Sequence, residues 1–223
     1  IVFKGDKYGL FTQVFINSDG LLTYAGKDIG LIQLKEKDYS PDKSFIFTDI
    51  AQKDHLAVVF KSVEQFSPEL AKKTIHFTHG QIKLSGGVAM SSRKGNVVLA
   101  SEILDAATKA IKDSGKGESS DVAKSAVKYA FLKQRIGNDI IYNPQESVNL
   151  HGNSGPYLQY AHARACSILS KSNTSDSYDP QLQLDERRLA QKVGEYTEVL
   201  NESINELMPH HICTYLYELT QIF

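Results

Sequence analysis

Ser44-Phe45-Ile46-Phe47-Thr48 and Thr74-Ile75-His76-Phe77-Thr78 bracket a segment in which Leu56, Val59, Phe60 and Val63 recur at three- and four-residue spacing. The two short runs have the length and residue types of buried strands, and the spacing between them is that of an amphipathic helix. A strand, a helix and a strand in that order predict a parallel pair with the helix crossing over one face. Upstream, Thr12-Gln13-Val14-Phe15-Ile16 alternates polar and apolar residues as a strand does, and Asn17-Ser18-Asp19-Gly20 is a turn. Helical spacing then runs from Tyr24 to Asp38 through Ile29 and Ile32. Downstream, His79-Gly80 closes the second strand, and Ile82-Lys83-Leu84 is expected to return against it as a hairpin arm. A helix capped by Ser101 follows, with Ile103, Leu104, Ala107 and Ile111 on its apolar face.

The chain from 113 onward has a different texture. Asp113 to Ser120 is a break of small and charged residues, and everything after it has helical character. A run capped by Ser120 or Asp121 carries Val122, Ala126, Tyr129, Ala130 and Leu132. A loop spans Asn143 to Gly155, and Pro156 suits the first position of a long helix. Ser172 to Pro180 is a polar linker. Two further helices are expected over Leu182 to Leu207 and His211 to Phe223, split by Pro209. The fold class is therefore α/β, a partial Rossmann-type parallel sheet, followed by an all-α helix bundle. The expected domains are 1–112, 113–150 as connecting helices, and 151–223.

The 223 residues carry a net charge of −1, with 41% hydrophobic and 23% charged residues. That balance excludes a generally basic nucleic-acid binder but leaves room for a local basic surface. No apolar run approaches the roughly 20 residues needed to span a bilayer, and no secretion signal opens the chain. Cys166 and Cys213 stand far apart without metal-ligand spacing; Cys166, in an apolar helical stretch, is expected in the core, and the usage fits a reducing cytosol. His76 with His79 and His210 with His211 lack an evident carboxylate or cysteine at ligand spacing, so no metal site is expected. The chain opens on an apolar strand-like run without Met and ends in another apolar run, as a piece of a longer protein would.

Three groups of residues carry chemistry. Met90-Ser91-Ser92-Arg93-Lys94-Gly95 puts two hydroxyls, two cations and a permissive glycine on one loop, a donor set suited to a triphosphate; the plainer alternative is a solvated basic turn. Tyr24 and Asp28 lie one turn apart on one helix face. Gln52 opens the next helix just beyond a strand, at the carboxyl end of the sheet where open parallel sheets bind ligands. The plainer alternatives are a core-edge tyrosine and a solvated aspartate. Tyr157, Tyr160 and Arg164 recur at three and four residues, so one face offers two rings and a guanidinium, or else part of a bundle core. His55, three residues after Gln52, is expected to approach a nucleotide.

Three phrases in this chain resemble the arginyl-tRNA synthetase family. The first is Ser18-Asp19-Gly20 followed by Tyr24 and Lys27-Asp28-Ile29. The second is Met90-Ser91-Ser92-Arg93-Lys94-Gly95-Asn96-Val97-Val98, similar to the KMSKS loop of class I synthetases. The third is Asn153-Ser154-Gly155-Pro156-Tyr157-Leu158-Gln159-Tyr160-Ala161-His162-Ala163-Arg164. They occur in family order and together cover nearly the whole chain.

The resemblance implies that Tyr24, Asp28 and Gln52 bind L-arginine. It implies that Met90, Ser91, Ser92, Arg93, Lys94 and Gly95 bind ATP, with Ser91, Ser92, Arg93 and Lys94 stabilising the departing pyrophosphate. Tyr157, Tyr160 and Arg164 would contact tRNA(Arg), rings stacking on unpaired bases and the cation meeting phosphate. Mg2+ would accompany ATP. The parent is expected to be a cytoplasmic, monomeric arginine–tRNA ligase that needs bound tRNA for activation, with no membrane partner. Two departures stand out. Ala89 and Ser92 replace the two lysines of the loop signature, with Arg93 and Lys94 as shifted neighbours. No His-x-Gly-His motif occurs in the chain, so the chain alone is expected not to form adenylate. The alternatives are a non-catalytic tRNA-binding module and another class I synthetase; Asp28 argues against the latter, since a glutamate or hydrophobic substrate gains nothing from it.

Overall fold

The computed structural model describes residues 1–84, 99–113, 119–172 and 181–223. The chain divides by its contacts into Ile1–Gln81 and Ile82–Phe223.

In the first unit, β1 (Val2–Phe3) pairs antiparallel with β2 (Gln13–Val14). The expected turn forms: Asn17 Oδ1 accepts from the N–H groups of Asp19 and Leu21, and Gly20 takes φ 77°, a value that suits glycine. Helix α1 (Tyr24–Tyr39) begins at Thr23, whose hydroxyl accepts from Gly26 N–H and donates to the Val14 carbonyl 2.7 Å away. One threonine thus caps the helix and fastens it to β2. Strand β3 (Ser44–Asp49) leads through a short 3-10 turn into α2 (Lys53–Phe66), and α3 (Pro68–Lys73) leads into β4 (Thr74–His79). β3 and β4 pair in parallel over their full length, Ser44 opposite Thr74 and Asp49 opposite His79, as the sequence predicts. Phe15, Ala25, Ile32, Leu56, Val58, Val59 and Val63 form the core beneath them.

The second unit departs from expectation in its first element. β5 (Ile82–Leu84) is no hairpin arm of β4; it pairs in parallel with β6 (Ile140–Tyr142), a strand placed within the stretch expected to be helical. Tyr142 anchors this pair. Its ring is 1% exposed, meets Phe131 edge-on, and its hydroxyl bonds Ser147 Oγ at 3.1 Å. Helix α4 (Ala100–Asp113) starts before Ser101, with Glu102 accepting from Leu99 N–H in place of a serine cap. Helix α5 (Ser120–Leu132) is capped by Ser119, one residue earlier than expected. Ile103, Ala107, Ile111, Ala123, Ala126 and Tyr142 share one core.

After the short helix α6 (Pro144–Ser147), helix α7 (Gly155–Lys171) is capped by Ser154 and packs on α5. The close approach needs Gly155: a Cβ there would lie 2.6 Å from the Ser125 carbonyl oxygen. The helix expected over 182–207 is two, α8 (Leu184–Gly194) and α9 (Tyr196–Glu206), broken at Glu195; α10 (His210–Ile222) follows Pro209. Cys166 is exposed, contrary to expectation, because α7 turns Leu158, Ala161 and Ala165 towards α8 and α10 and leaves Cys166 one step off that stripe. Cys213 is buried, and both cysteines are free thiols. No helix among the described residues is long and apolar enough to cross a membrane.

Candidate functional site

The first unit assembles a polar cluster where α1 and α2 meet, at the carboxyl end of β3. α1 reaches that position because Gly26 lets it press on the preceding chain; a Cβ would sit 2.5 Å from the Phe15 carbonyl oxygen. α2 is placed by the turn after β3, where Asp49 Oδ1 accepts from Ala51 N–H at 2.8 Å. Asp49 is therefore a cap, and Gln52, the residue that opens α2, is left exposed to solvent.

Between these elements, His55 Nε2 lies 2.7 Å from Asp28 Oδ2. Their side chains are 27% and 34% exposed, so the pair is shielded on one side and open on the other. His55 is three residues after Gln52 and shares its helix face. Tyr24, one turn before Asp28, is 84% exposed, with the Lys27 ammonium 5.7 Å from its ring centre. The structure thus groups Asp28 with His55 directly and sets Tyr24 and Gln52 on the same two helix starts. His55, expected to approach a nucleotide, meets the Asp28 carboxylate, a contact that its three-residue step from Gln52 does not announce.

A second histidine lies beneath. His76 Nε2 lies 2.8 Å from Thr48 Oγ1, whose hydroxyl donates a hydrogen bond to the Asp49 carbonyl, and Phe60 meets the imidazole edge-on. Burial holds the His76 pKa below its ordinary value of 6.5.

On α7 the three residues of the third phrase have different environments. Tyr157 is half-buried against Tyr217 of α10, its hydroxyl donating to the Thr220 carbonyl and accepting from Gln221 Nε2 at 2.7 Å. Tyr160 is 55% exposed. The Arg164 guanidinium lies over the Phe223 ring at 5.7 Å. Tyr157 therefore packs on α10, whereas Tyr160 and Arg164 are both exposed. Met90, Ser91, Ser92, Arg93, Lys94 and Gly95 lie outside the described residues.

The histidines after Pro209 do have carboxylate neighbours, contrary to the expectation from spacing. Glu202 and Glu206, one turn apart on α9, approach His211 at 4.0 and 2.9 Å. The tight turn at Leu207, with φ 57°, folds α10 back so that a residue beyond the end of α9 meets its flank. Among the described residues these are the one group of three side chains with metal-ligand proximity, and they are paired with one another.

Residues 2–143 match the family described as tRNA synthetases class I (R), catalytic domain, and residues 158–223 match the DALR anticodon binding domain. The first match takes in well over half of the chain, which belongs to the class I (R) tRNA synthetase family. Its relatives make the assignment narrower. The chain is 30% identical to an arginine–tRNA ligase of Porphyromonas gingivalis over 96% of its own length and 39% of the relative's. It is 32% identical to that of Bdellovibrio bacteriovorus, over 94% and 39% respectively. The fold is also that of the Thermus thermophilus arginyl-tRNA synthetase, with TM-score 0.79 and 25% identity over 95% of this chain and 42% of that one. The Plasmodium falciparum arginyl-tRNA synthetase superposes with TM-score 0.74 at 21% identity, over 95% of this chain and 39% of that one. The chain thus spans about two fifths of the length of these relatives.

Proposed function

We propose that this chain recognises L-arginine as part of an arginine–tRNA ligase, the activity named for its relatives. The observation that supports this reading most is Asp28, a carboxylate held between two helix starts at the carboxyl end of β3, with His55 on one oxygen and an open side towards solvent. A guanidinium presents parallel N–H donors that match a carboxylate, and the pairing is charge-assisted. Tyr24 and Gln52 flank the position and would complete the pocket by hydrogen bonding. Residues 1–112 would belong to the catalytic domain, 113–150 would connect, and 151–223 would belong to the anticodon-binding domain.

In that ligase, arginine and ATP with Mg2+ give arginyl-adenylate and pyrophosphate, and the arginyl group passes to tRNA(Arg). Met90 to Gly95 supply a donor set that fits the triphosphate: hydroxyls from Ser91 and Ser92, cations from Arg93 and Lys94. Tyr160, with its exposed ring, is suited to stacking on an unpaired base and the exposed Arg164 to meeting phosphate, while the half-buried Tyr157 would act by shaping the surface beside them. A cytoplasmic location and a monomeric parent accord with this reading.

Isothermal titration of the chain with L-arginine and L-lysine tests it. Arginine is expected to bind more tightly than lysine, and Asp28→Ala to abolish the preference. An Asp28→Ala variant that binds arginine unchanged would remove Asp28 from the substrate site.

A further inference from the structure

The carboxylate proposed to meet arginine already has a partner. Asp28 Oδ2 is 2.7 Å from His55 Nε2, and the contact joins the second turn of α1 to the first turn of α2. An ionised carboxylate only accepts, so Nε2 carries the proton and donates. Among the described residues, none engages Asp28 Oδ1. The imidazole therefore occupies one lone pair of one oxygen and restrains the carboxylate, leaving the rest of its acceptor capacity to a ligand.

The choice of partner has a physical logic. A lysine or arginine at position 55 would orient Asp28 equally well, but its full charge would cancel the attraction offered to a cationic ligand. An imidazole supplies one directional N–H to Oδ2 and leaves Oδ1 to a ligand. Fixing the plane matters more for a guanidinium than for an ammonium. The planar fork needs both carboxylate oxygens in register, whereas an ammonium is a compact charge that accepts many approaches.

We infer that His55 is a positioning residue for the substrate side chain: it sets the plane of the Asp28 carboxylate for paired hydrogen bonding, and so contributes to the preference for a guanidinium over an ammonium. This rests on the assignment of Asp28 to the arginine site. Substrate would touch Asp28 and not His55.

The experiment combines two readouts on the full chain. The first is titration with L-arginine and with L-lysine of wild type, His55→Ala and His55→Gln, each checked for an intact thermal transition. The Gln side-chain nitrogen has about the reach of Nε2. His55→Ala is expected to weaken arginine about tenfold, the scale of one charge-assisted hydrogen bond. Lysine should weaken much less, so the preference narrows, and His55→Gln should restore most of it. Equal losses for both ligands, or no loss for arginine, overturn the inference.

The second readout needs no substrate. Imidazole 15N shifts are expected to show His55 as a single Nε2–H tautomer in wild type, released to a mixture in Asp28→Ala. A mixture already present in wild type, or a tautomer indifferent to Asp28→Ala, overturns the inference whether or not arginine binds. Absence of arginine binding with a fixed, Asp28-dependent tautomer counts against the substrate assignment and leaves the pairing standing.

Discussion

Single residues decide several of the junctions described above, and Gly155 is the clearest. It lies in the phrase Asn153-Ser154-Gly155-Pro156, where Ser154 caps α7 and Pro156 has no N–H to leave unsatisfied in the first turn. Its backbone torsions are ordinary; what it supplies is the missing Cβ. The atoms that a Cβ would meet, at 2.6, 3.0 and 3.2 Å, all belong to the Ser125–Ala126 backbone and cannot swing aside. Gly155→Ala is therefore expected to force α7 away from α5 and cost about 1–3 kcal/mol, despite alanine's better helix propensity. An unfolding midpoint equal to or above wild type would show that the helices part without loss. Tyr129 ties the same junction from the other side: its hydroxyl lies 2.6 Å from Asn153 Oδ1 and 3.0 Å from the Cys213 carbonyl, and burial raises its pKa far above 10.

Among the elements, β3, α2 and β4 were legible because each carries a clean periodicity and the order itself dictates a parallel pair. β5 and β6 were not. Each is three residues long, and their pairing joins residues far apart, with Lys83 and Asp139 bridging at 2.6 Å across 56 positions. No local pattern announces such a partner. The break at Glu195 was hidden because the apolar spacing continues through it, and the start of α5 was ambiguous because Ser119, Ser120 and Asp121 are all good caps. The candidate site shows the same division. Tyr24, Asp28 and Gln52 stand out through spacing and family phrase, whereas the His55–Asp28 contact arises only when α1 and α2 are folded together.

The β3–β4 layer also has a pH response with a definite sign. Burial depresses the His76 pKa below 6.5 in the folded chain. As pH falls through 6.5, the unfolded chain takes up a proton that the folded chain resists, so stability is full above 6.5 and declines below it. The unfolding free energy of the first unit is expected to drop between pH 7.5 and 5.5, and His76→Gln, which does not titrate, should flatten that drop. An unchanged slope would place the response elsewhere. His210 in the second unit is depressed as well, by burial first and then by His211 and Arg135, so the first unit's own transition must be followed.

At the scale of the whole molecule, the two units have separate cores. One centres on Leu56, Val58, Val59 and Val63, the other on Ile103, Ala107, Ala126 and Tyr142. Calorimetry is expected to resolve two transitions, with Gly155→Ala lowering one and His76→Gln altering the pH response of the other. A single transition displaced as a whole by either substitution would mean that the units melt as one cooperative body. The family boundaries cut the chain differently, since the catalytic-domain match runs to residue 143, beyond the contact boundary at Gln81. The family boundary and the contact boundary are thus distinct divisions of this chain. The β5–β6 pair lies on the family's catalytic side and inside the second unit.

That pair also sets an order of events. The parallel pairing of Ile82 with Ile140 cannot form until the intervening chain has been made and its ends brought together, an entropic cost met before any ladder bond compensates it. During synthesis, β3 and β4 emerge close together, whereas Ile82 to Leu84 must wait for Ile140 to Tyr142 to arrive. A nascent chain halted between those points has β3 and β4 to pair with each other but a β5 with no partner.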